Sequence, residues 1–338
     1  MLCLLLACAC GDDAASDDGV PDASGGDGDG DGDGDGDGDG DGDGPPLRYD
    51  TLADTGLFSD IGADALADGV LPFSPRFAMW EDGAQTQSFL LLPEGEAVDT
   101  TDMRFWSFPT GTRAFQHVSV DGKRIETRML ELLDDGSWFA MGFAWDADGA
   151  DATAAPEGAA DVQGSGHDVA APGICVACHA SLASGIAGFS AIQLSHGATD
   201  TTLMDAADAG LLSESPAAAF DLPGDDVAQA ALGMLHVNCG TCHNTGSGLF
   251  TSTSMDLWLD PAALDSVEAT SIYASSVGVA PDLTASESSA RITAGDSADS
   301  EVHRRMSMRG TFLQMPPYLS TEIDEDGMAN LTAWIDGL

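Results

Sequence analysis

Four of the seven cysteines form two C-x-x-C pairs, and a histidine follows each pair directly. The first set is Cys175, Cys178 and His179, and the second is Cys239, Cys242 and His243. This C-x-x-C-H spacing is the attachment signature of a c-type haem. On one helical turn, residues i, i+3 and i+4 share a face, so two thiols can hold the haem while the histidine binds its iron. The sequence therefore predicts two covalently bound haem c groups, with both histidines as proximal iron ligands.

Two other chemistries use paired cysteines, and the spacing here disfavours both. Zinc ribbons place their pairs about 15–20 residues apart, whereas these pairs begin 64 residues apart. A redox-active dithiol, like a zinc site, does not need a histidine directly after each pair. Because seven histidines are spread over 338 residues, two of them at the same offset favour haem.

The sixth iron ligand of the second haem is predicted to be Met315. A thioether is a soft, neutral ligand that raises the haem potential, and Pro316 and Pro317 stiffen the loop that carries it. Met306, Met308 and His303 are rival ligands, and a core position is the structural alternative for Met315.

The sixth ligand of the first haem is less determined by the sequence. His196, which lies 17 residues after His179, is the tentative choice because it stands in a predicted turn. Other candidates are Met204, His236, Met234 and His167. A five-coordinate iron is a further alternative.

The N-terminus indicates export. Residues 1–10 (MLCLLLACAC) are too short to span a bilayer, which takes roughly 20 apolar residues, and they match the end of a secretory signal. Leu5 to Cys8 has the pattern of a bacterial lipobox, which predicts lipidation of Cys8, or failing that Cys10. Residues 11–46 include nine Asp-Gly repeats and predict a disordered acidic tether.

The remaining chain is predicted to be α+β. Residues 47–150 contain alternating apolar runs and the turn Asp134-Asp135-Gly136, which predict a β-rich sheet or sandwich domain. Residues 151–172 are rich in Ala, Gly and Asp and predict a linker. A first haem segment over 173–224 and a domain over 225–338 would form an all-α haem region, with helices over 227–237 and 327–335.

The charge of the chain excludes some partners and favours others. The formal net charge is −46, and residues 47–338 alone carry 43 acidic against 11 basic residues. Nucleic acid is excluded as a partner because phosphate binding needs a basic surface. Membrane contact is expected only through the lipid anchor, and a basic redox protein would be attracted.

Several stretches together carry a resemblance to bacterial secreted diheme c-type cytochromes. They are residues 52–58 (LADTGLF), 80–84 (WEDGA), 108–112 (FPTGT) and 126–128 (ETR), followed by both haem motifs. Residues 225–338 resemble a class I c-type cytochrome domain, with a helix, C-x-x-C-H, Met-Pro-Pro and a closing helix in order. Ala170 to Gly173 stand where such proteins often have a Trp or Phe-Pro segment before the first haem. The resemblance implies electron transfer.

The expected function is therefore that of an extracytoplasmic electron carrier, periplasmic or on the cell surface, with no catalytic residues of its own. The alternative is a diheme peroxidase, in which peroxide would reach an open first haem and the Met315 haem would deliver electrons. That reaction needs an acid or base beside the first haem, and Glu214 and His196 are the candidates.

Overall fold

An antiparallel sheet of six strands dominates the first half of the structure. The computed structural model describes residues 47–282 and 286–338. Its strands are β1 Phe58–Asp60, β2 Ala65–Leu66, β3 Val70–Phe73, β4 Gln85–Leu91, β5 Arg113–Val120, β6 Lys123–Leu132, β7 Trp138–Trp145 and β8 Ala152–Ala154. Strands β3 to β8 pair in chain order, and β1 and β2 form a separate two-stranded ribbon.

The hairpin of β6 and β7 follows from local sequence. Alternating apolar residues form both strands, and Asp134, Asp135 and Gly136 make the turn between them. Gly136 has φ +80°, a left-handed conformation that glycine adopts without steric cost. The Asp135 side chain accepts hydrogen bonds from the backbone N–H and the hydroxyl of Ser137 at 2.9 and 2.6 Å. The predicted strand pair is confirmed.

Both faces of the sheet are buried. One face packs against the segment before β3 and includes Phe89, Phe115, Met129 and Phe143. The neighbouring residues along each strand point to the other face, because side chains alternate across a strand. That second face packs against residues 174–212, with Phe189 fully buried at its centre. The sheet therefore shares its second core with the segment that carries the first motif.

Seven α-helices lie in the described residues, and all begin after the sheet is complete. They are α1 Pro172–His179, α2 Leu203–Asp208, α3 Asp226–Asn238, α4 Phe250–Thr253, α5 Ser271–Ser276, α6 Glu301–Met306 and α7 Glu325–Gly337. Short 3-10 helices cover Leu52–Thr55, Ile61–Ala63, Val162–Gly164 and Val267–Ala269. The two long helices begin at N-cap aspartates, Asp225 and Asp324, whose side chains accept backbone N–H groups of the first turn.

The prediction of an all-α, cytochrome c-like region after the sheet is wrong. Helices α3 and α7 match the predicted positions, but the other five have between four and eight residues, with long irregular connections. Glycine, proline, serine and threonine are frequent in those connections. Their side chains favour turns and caps over helix interiors, so the polypeptide leaves the helix after one or two turns. The structure is predominantly a β-sheet protein with short helices.

A second core joins the C-terminal helices. Leu232 and Leu235 of α3 pack with Leu331 and Trp334 of α7, and α5 and α6 contribute Ile272 and Met306. Residues Leu47–Leu338 together form one compact unit. The domain boundaries predicted inside this unit stay a prediction. Within the described ranges, no helix has the length and apolar character needed to cross a bilayer.

Phe189 tests the shared core. Its ring lies 5.1 Å from that of Phe73, 5.9 Å from Trp106 and 6.3 Å from Phe108. We expect Phe189→Ala to lower the free energy of unfolding by about 3–5 kcal/mol, because it opens a cavity among these rings. Urea unfolding followed by fluorescence measures this. The matched control is Phe312→Ala, since Phe312 is 92% exposed, and its effect should stay within about 0.5 kcal/mol. Equal effects of the two variants would contradict the packing.

Candidate functional site

The first C-x-x-C-H motif occupies the last turn of α1, which lies against β7 of the sheet. Pro172 begins this helix at a position where a missing N–H costs nothing. Cys175 points into the core shared with the sheet and is 8% exposed, while Cys178 is half-buried. The helical turn therefore places Cys175, Cys178 and His179 on the spacing that the sequence predicts.

The imidazole of His179 is held in one tautomer. Its Nδ1 lies 2.6 Å from the carbonyl oxygen of Gly185, and because a carbonyl only accepts, Nδ1 must carry the proton. The lone pair is then on Nε2, which is the arrangement of a metal-binding histidine with an outer hydrogen-bond partner. Burial lowers the pKa of His179, so the ring is neutral and able to bind a metal.

Gly185 is needed for this hydrogen bond. It has φ +75°, and a Cβ at this position would lie 2.1 Å from Nε1 of Trp138. Any other residue would both strain the backbone and displace the indole.

The second motif follows α3 directly. The helix ends at Asn238, and Cys239 to His243 form one further turn in which the N–H groups of Cys242 and His243 donate to the carbonyl of Cys239. Gly240 is tightly enclosed, since a Cβ there would lie 2.4 Å from the carbonyl oxygen of His236. His243 is enclosed by the protein, and its Nδ1 has no hydrogen-bond partner within the described ranges. It therefore lacks the outer partner that His179 has.

The two motifs lie side by side. The side chain of Asn244, the residue after the second motif, donates to the carbonyl of Ser181 at 3.1 Å and to that of Gly240 at 2.9 Å. The thiol of Cys178 lowers the pKa of Cys242, and the thiol of Cys242, with burial second, raises the pKa of Cys178. The two motifs are thus neighbours.

The remaining motif thiols are strongly protonated. Burial raises the pKa of Cys175 to about 11, although the charge of Arg128 opposes this, and burial raises the pKa of Cys239 to about 12. Buried thiols of this kind are poor nucleophiles. In the part of the chain that the structure describes, no three His, Cys, Asp or Glu side chains converge as a metal site.

A buried charge cluster surrounds the first motif. Both oxygens of Glu81 accept from Nη1 of Arg128 at 2.8 Å, and Nε of Arg128 donates to Glu126 at 3.0 Å. Glu126 also bonds Nε2 of His167 at 2.8 Å. Burial works to lower the pKa of Arg128, but Glu81 and Glu126 outweigh it and the pKa is raised. His167, a candidate iron ligand from the sequence, is engaged in this cluster instead.

The backbone of Arg305 holds the predicted ligand Met315. The N–H of Met315 donates to the carbonyl of Arg305 at 3.1 Å, and the charge of Arg305 contributes, after burial and Arg291, to the lowered pKa of His243. Two of the three rival ligands are occupied elsewhere. Met306 is 6% exposed and packs in the C-terminal core, and Nε2 of His303 bonds Thr332 at 2.9 Å. Met308 is half-buried near the same turn. Met315 as the sixth ligand of the second haem stays a prediction.

The candidates for the sixth ligand of the first haem differ from His179 in their tautomer. Nδ1 of His196 accepts from the N–H of Ala198, and Nδ1 of His236 accepts from the N–H of Leu259, each at 3.0 Å. Because Nδ1 accepts, Nε2 carries the proton and has no lone pair for iron. Met234 is buried in the C-terminal core, and Met204 is half-buried on α2. Neither histidine therefore offers a free ring nitrogen in this tautomer, and the assignment to His196 stays a prediction without support.

The peroxidase alternative gains no support either. The side chain of Glu214 is exposed, and its backbone N–H donates to the hydroxyl of Thr100 at 2.9 Å. An exposed carboxylate is not held for acid–base work beside a buried iron site.

The donor set fits a c-type haem at each motif. Two thiols and one histidine lie on one turn in both places, and the tautomer of His179 leaves Nε2 free for iron. An open cleft of about 660 Å³ lies beside the second motif, lined by residues 101–105, Thr245, Gly246, Asp260 and Ala262. No thiol or histidine of the motifs lines it, so we do not assign it to a haem. Cys8 and Cys10, the predicted lipidation sites, lie outside the described residues.

Sequence reasoning missed the residues that orient and connect the motifs. Gly185, Arg128 and Glu81 are remote from the cysteines that they serve, and no local pattern marks them. Asn244 directly follows the second motif, and its adjacency to His243 was the one signal that could have identified it.

We expect Gly185→Ala to disturb the first motif. A non-glycine residue with φ +75° costs about 1–2 kcal/mol, and the clash with Trp138 adds to this cost. The free energy of unfolding, measured in urea, should fall by at least that amount. Gly173→Ala is the control, because a Cβ there meets no atom within 4 Å, and it should be neutral or stabilising by up to about 1 kcal/mol. A silent Gly185→Ala variant would rule out the proposed constraint on His179.

Comparison with known proteins gave no match to a family model, to a curated protein or to a solved structure.

Proposed function

We propose that the chain is an extracytoplasmic diheme c-type cytochrome that transfers electrons between redox partners. Cys175 and Cys178 would hold one haem and Cys239 and Cys242 the other, with His179 and His243 as proximal ligands. Each haem iron supplies a one-electron couple between Fe(III) and Fe(II) when bound. The observation that carries the proposal is the repeated C-x-x-C-H turn, with the Nε2 lone pair of His179 left free by its bond to Gly185.

Side-by-side motifs suit electron transfer. Asn244 ties the second motif to Ser181 just after the first, and the thiols of Cys178 and Cys242 are neighbours. Attachment points this close would favour exchange between two bound groups over two independent reactions. The chain itself fixes their separation through these contacts.

The charge distribution supports a basic redox partner. Eight of the eleven basic residues are engaged in ion pairs with carboxylates: Arg48, Arg104, Arg113, Arg124, Arg128, Arg291, Arg304 and Arg305. Residues 47–338 carry 43 acidic against 11 basic residues. Because most of the basic residues are paired, few unpaired positive charges remain on the described surface. A positively charged partner would be steered toward it, more strongly at low salt.

The haem count tests the proposal. Protein exported by cells that attach c-type haem should carry two haems per chain, which stay on the chain in a denaturing gel. Cys175→Ala with Cys178→Ala should leave one haem, Cys239→Ala with Cys242→Ala should also leave one, and the fourfold variant none. The intact mass of the same preparation reports lipidation of Cys8 or Cys10. A wild-type chain that loses all colour on denaturation would falsify the proposal.

Met315→Ala tests the sixth ligand of the second haem. The oxidised protein should lose its sulfur-to-iron charge-transfer band, and the potential of that haem should fall, because a neutral thioether favours Fe(II). Met306→Ala and Met308→Ala are the controls and should keep the band. Met306→Ala should instead cost about 2–5 kcal/mol of stability, since Met306 is buried in the core. The ligand assignment is wrong if a control variant loses the band and Met315→Ala keeps it.

A further inference from the structure

Three successive residues of one loop contact the residue before the second motif, an arginine beside the first motif and the segment after Met315. Trp80, Glu81 and Asp82 lie between β3 and β4. The N–H of Trp80 donates to the side-chain oxygen of Asn238, the residue before Cys239, at 2.8 Å. Glu81 pairs with Arg128 beside the first motif. Asp82 reaches the segment that follows Met315.

Asp82 gathers four donors from two directions. Its Oδ2 accepts from the N–H and the hydroxyl of Thr321 at 2.8 and 2.7 Å, and its Oδ1 accepts from the N–H of Glu322 at 3.1 Å. Nε1 of Trp80 donates to the same Oδ1 at 3.0 Å and to the carbonyl of Glu322 at 3.1 Å. Charge-assisted bonds of this kind are roughly twice as strong as neutral ones.

The segment held by Asp82 needs such an anchor. Residues 309–322 form an irregular loop between α6 and α7, and Phe312 within it is 92% exposed. Its other hydrogen bonds to the described body are few: Met315 bonds the carbonyl of Arg305, and Arg309 bonds the carbonyl of Met306. The loop gains little stability from apolar packing, so its position depends on these polar contacts.

We propose that Trp80 and Asp82 are positioning residues that hold the Met315 loop against the second motif. The inference rests on the proposed function, because it takes Met315 as the iron ligand. The loop Trp80–Asp82 fixes both ends of that site: Trp80 bonds Asn238 at the start of the motif, and Asp82 bonds Thr321 and Glu322 beyond Met315. Contacts outside the ligand set commonly orient the ligands of a metal.

Asp82→Asn is the sharpest variant. Asp82 has φ +51°, and asparagine tolerates this left-handed conformation, so the backbone is preserved. All four groups that face the carboxylate are donors in their present bonds, and an amide must turn its own N–H₂ toward some of them. The substitution therefore places the amide N–H₂ opposite groups that are themselves donors, and it removes the negative charge without a change in side-chain size.

The experiment is imidazole titration of the oxidised, haem-loaded protein, followed at the charge-transfer band. Imidazole competes with a methionine ligand, so a loosened loop raises its apparent affinity. We expect Asp82→Asn to raise that affinity about tenfold, which corresponds to about 1.4 kcal/mol. Thr321→Val removes the hydroxyl that donates to Asp82, so it should raise the imidazole affinity by a smaller factor. If Asp82→Asn does not fold, the Thr321→Val result tests the positioning role.

Asp121→Asn is the matched control. Asp121 is an exposed aspartate with φ +50° in the turn between β5 and β6. Its side chain makes no hydrogen bond to the described residues, so its substitution should leave the titration unchanged. An unchanged titration in both Asp82→Asn and Thr321→Val would overturn the positioning role while the diheme proposal stands. A wild-type protein that carries two haems but has no charge-transfer band would overturn the ligation of Met315 and this inference with it. A protein without haem would overturn the proposed function itself.

Discussion

Arg128 is the buried charge around which the motif-bearing segments are assembled. A guanidinium removed from water is costly unless opposite charges face it, and removal of one partner of a buried pair typically costs about 3–5 kcal/mol. Glu126 comes from the same strand, but Glu81 comes from the loop between β3 and β4. The need to neutralise Arg128 therefore draws that loop toward the first motif. Gly142 makes room for this cluster, since a Cβ there would lie 3.2 Å from Glu126 and 2.6 Å from Val169.

The same loop then serves the other half of the molecule. Once Glu81 is fixed by Arg128, its neighbours Trp80 and Asp82 are placed within reach of Asn238 and Thr321. The sheet is thus more than a cover for the first motif, because an ion pair on its surface sets the position of contacts made by the C-terminal loop. A substitution of Arg128 on β6 would therefore displace Glu81 and its neighbour Asp82, and with them the segment that follows Met315.

Local patterns in the sequence identified the elements whose stability is local. The β6–β7 hairpin was predicted from alternation and its turn, and α3 and α7 from apolar spacing, because each pattern depends on neighbouring residues. The prediction of an all-α region was wrong, because a Met-Pro-Pro segment and two helices do not determine the secondary structure of the residues between them. The burial of both sheet faces was also missed, since Phe189 reaches the sheet across about a hundred residues of chain. The C-x-x-C-H motifs could be found because all the residues of each motif lie within one turn of the chain. Gly185 and Arg128 act on that turn from a distance that no spacing rule covers.

The burial of one thiol has a consequence for biogenesis. Cys175 lies under the sheet, so an enzyme that joins the proposed haem to this sulfur must reach it before the chain closes. Chain order suits this requirement, because within the described residues every strand of the sheet precedes Pro172 and every α-helix begins at or after it. The sheet can form first, while the motif-bearing segment is still extended and accessible to the attachment machinery. Folding of the second half would then act as a checkpoint, since a chain that closed without its prosthetic groups would seal the sulfur of Cys175 away from the enzyme.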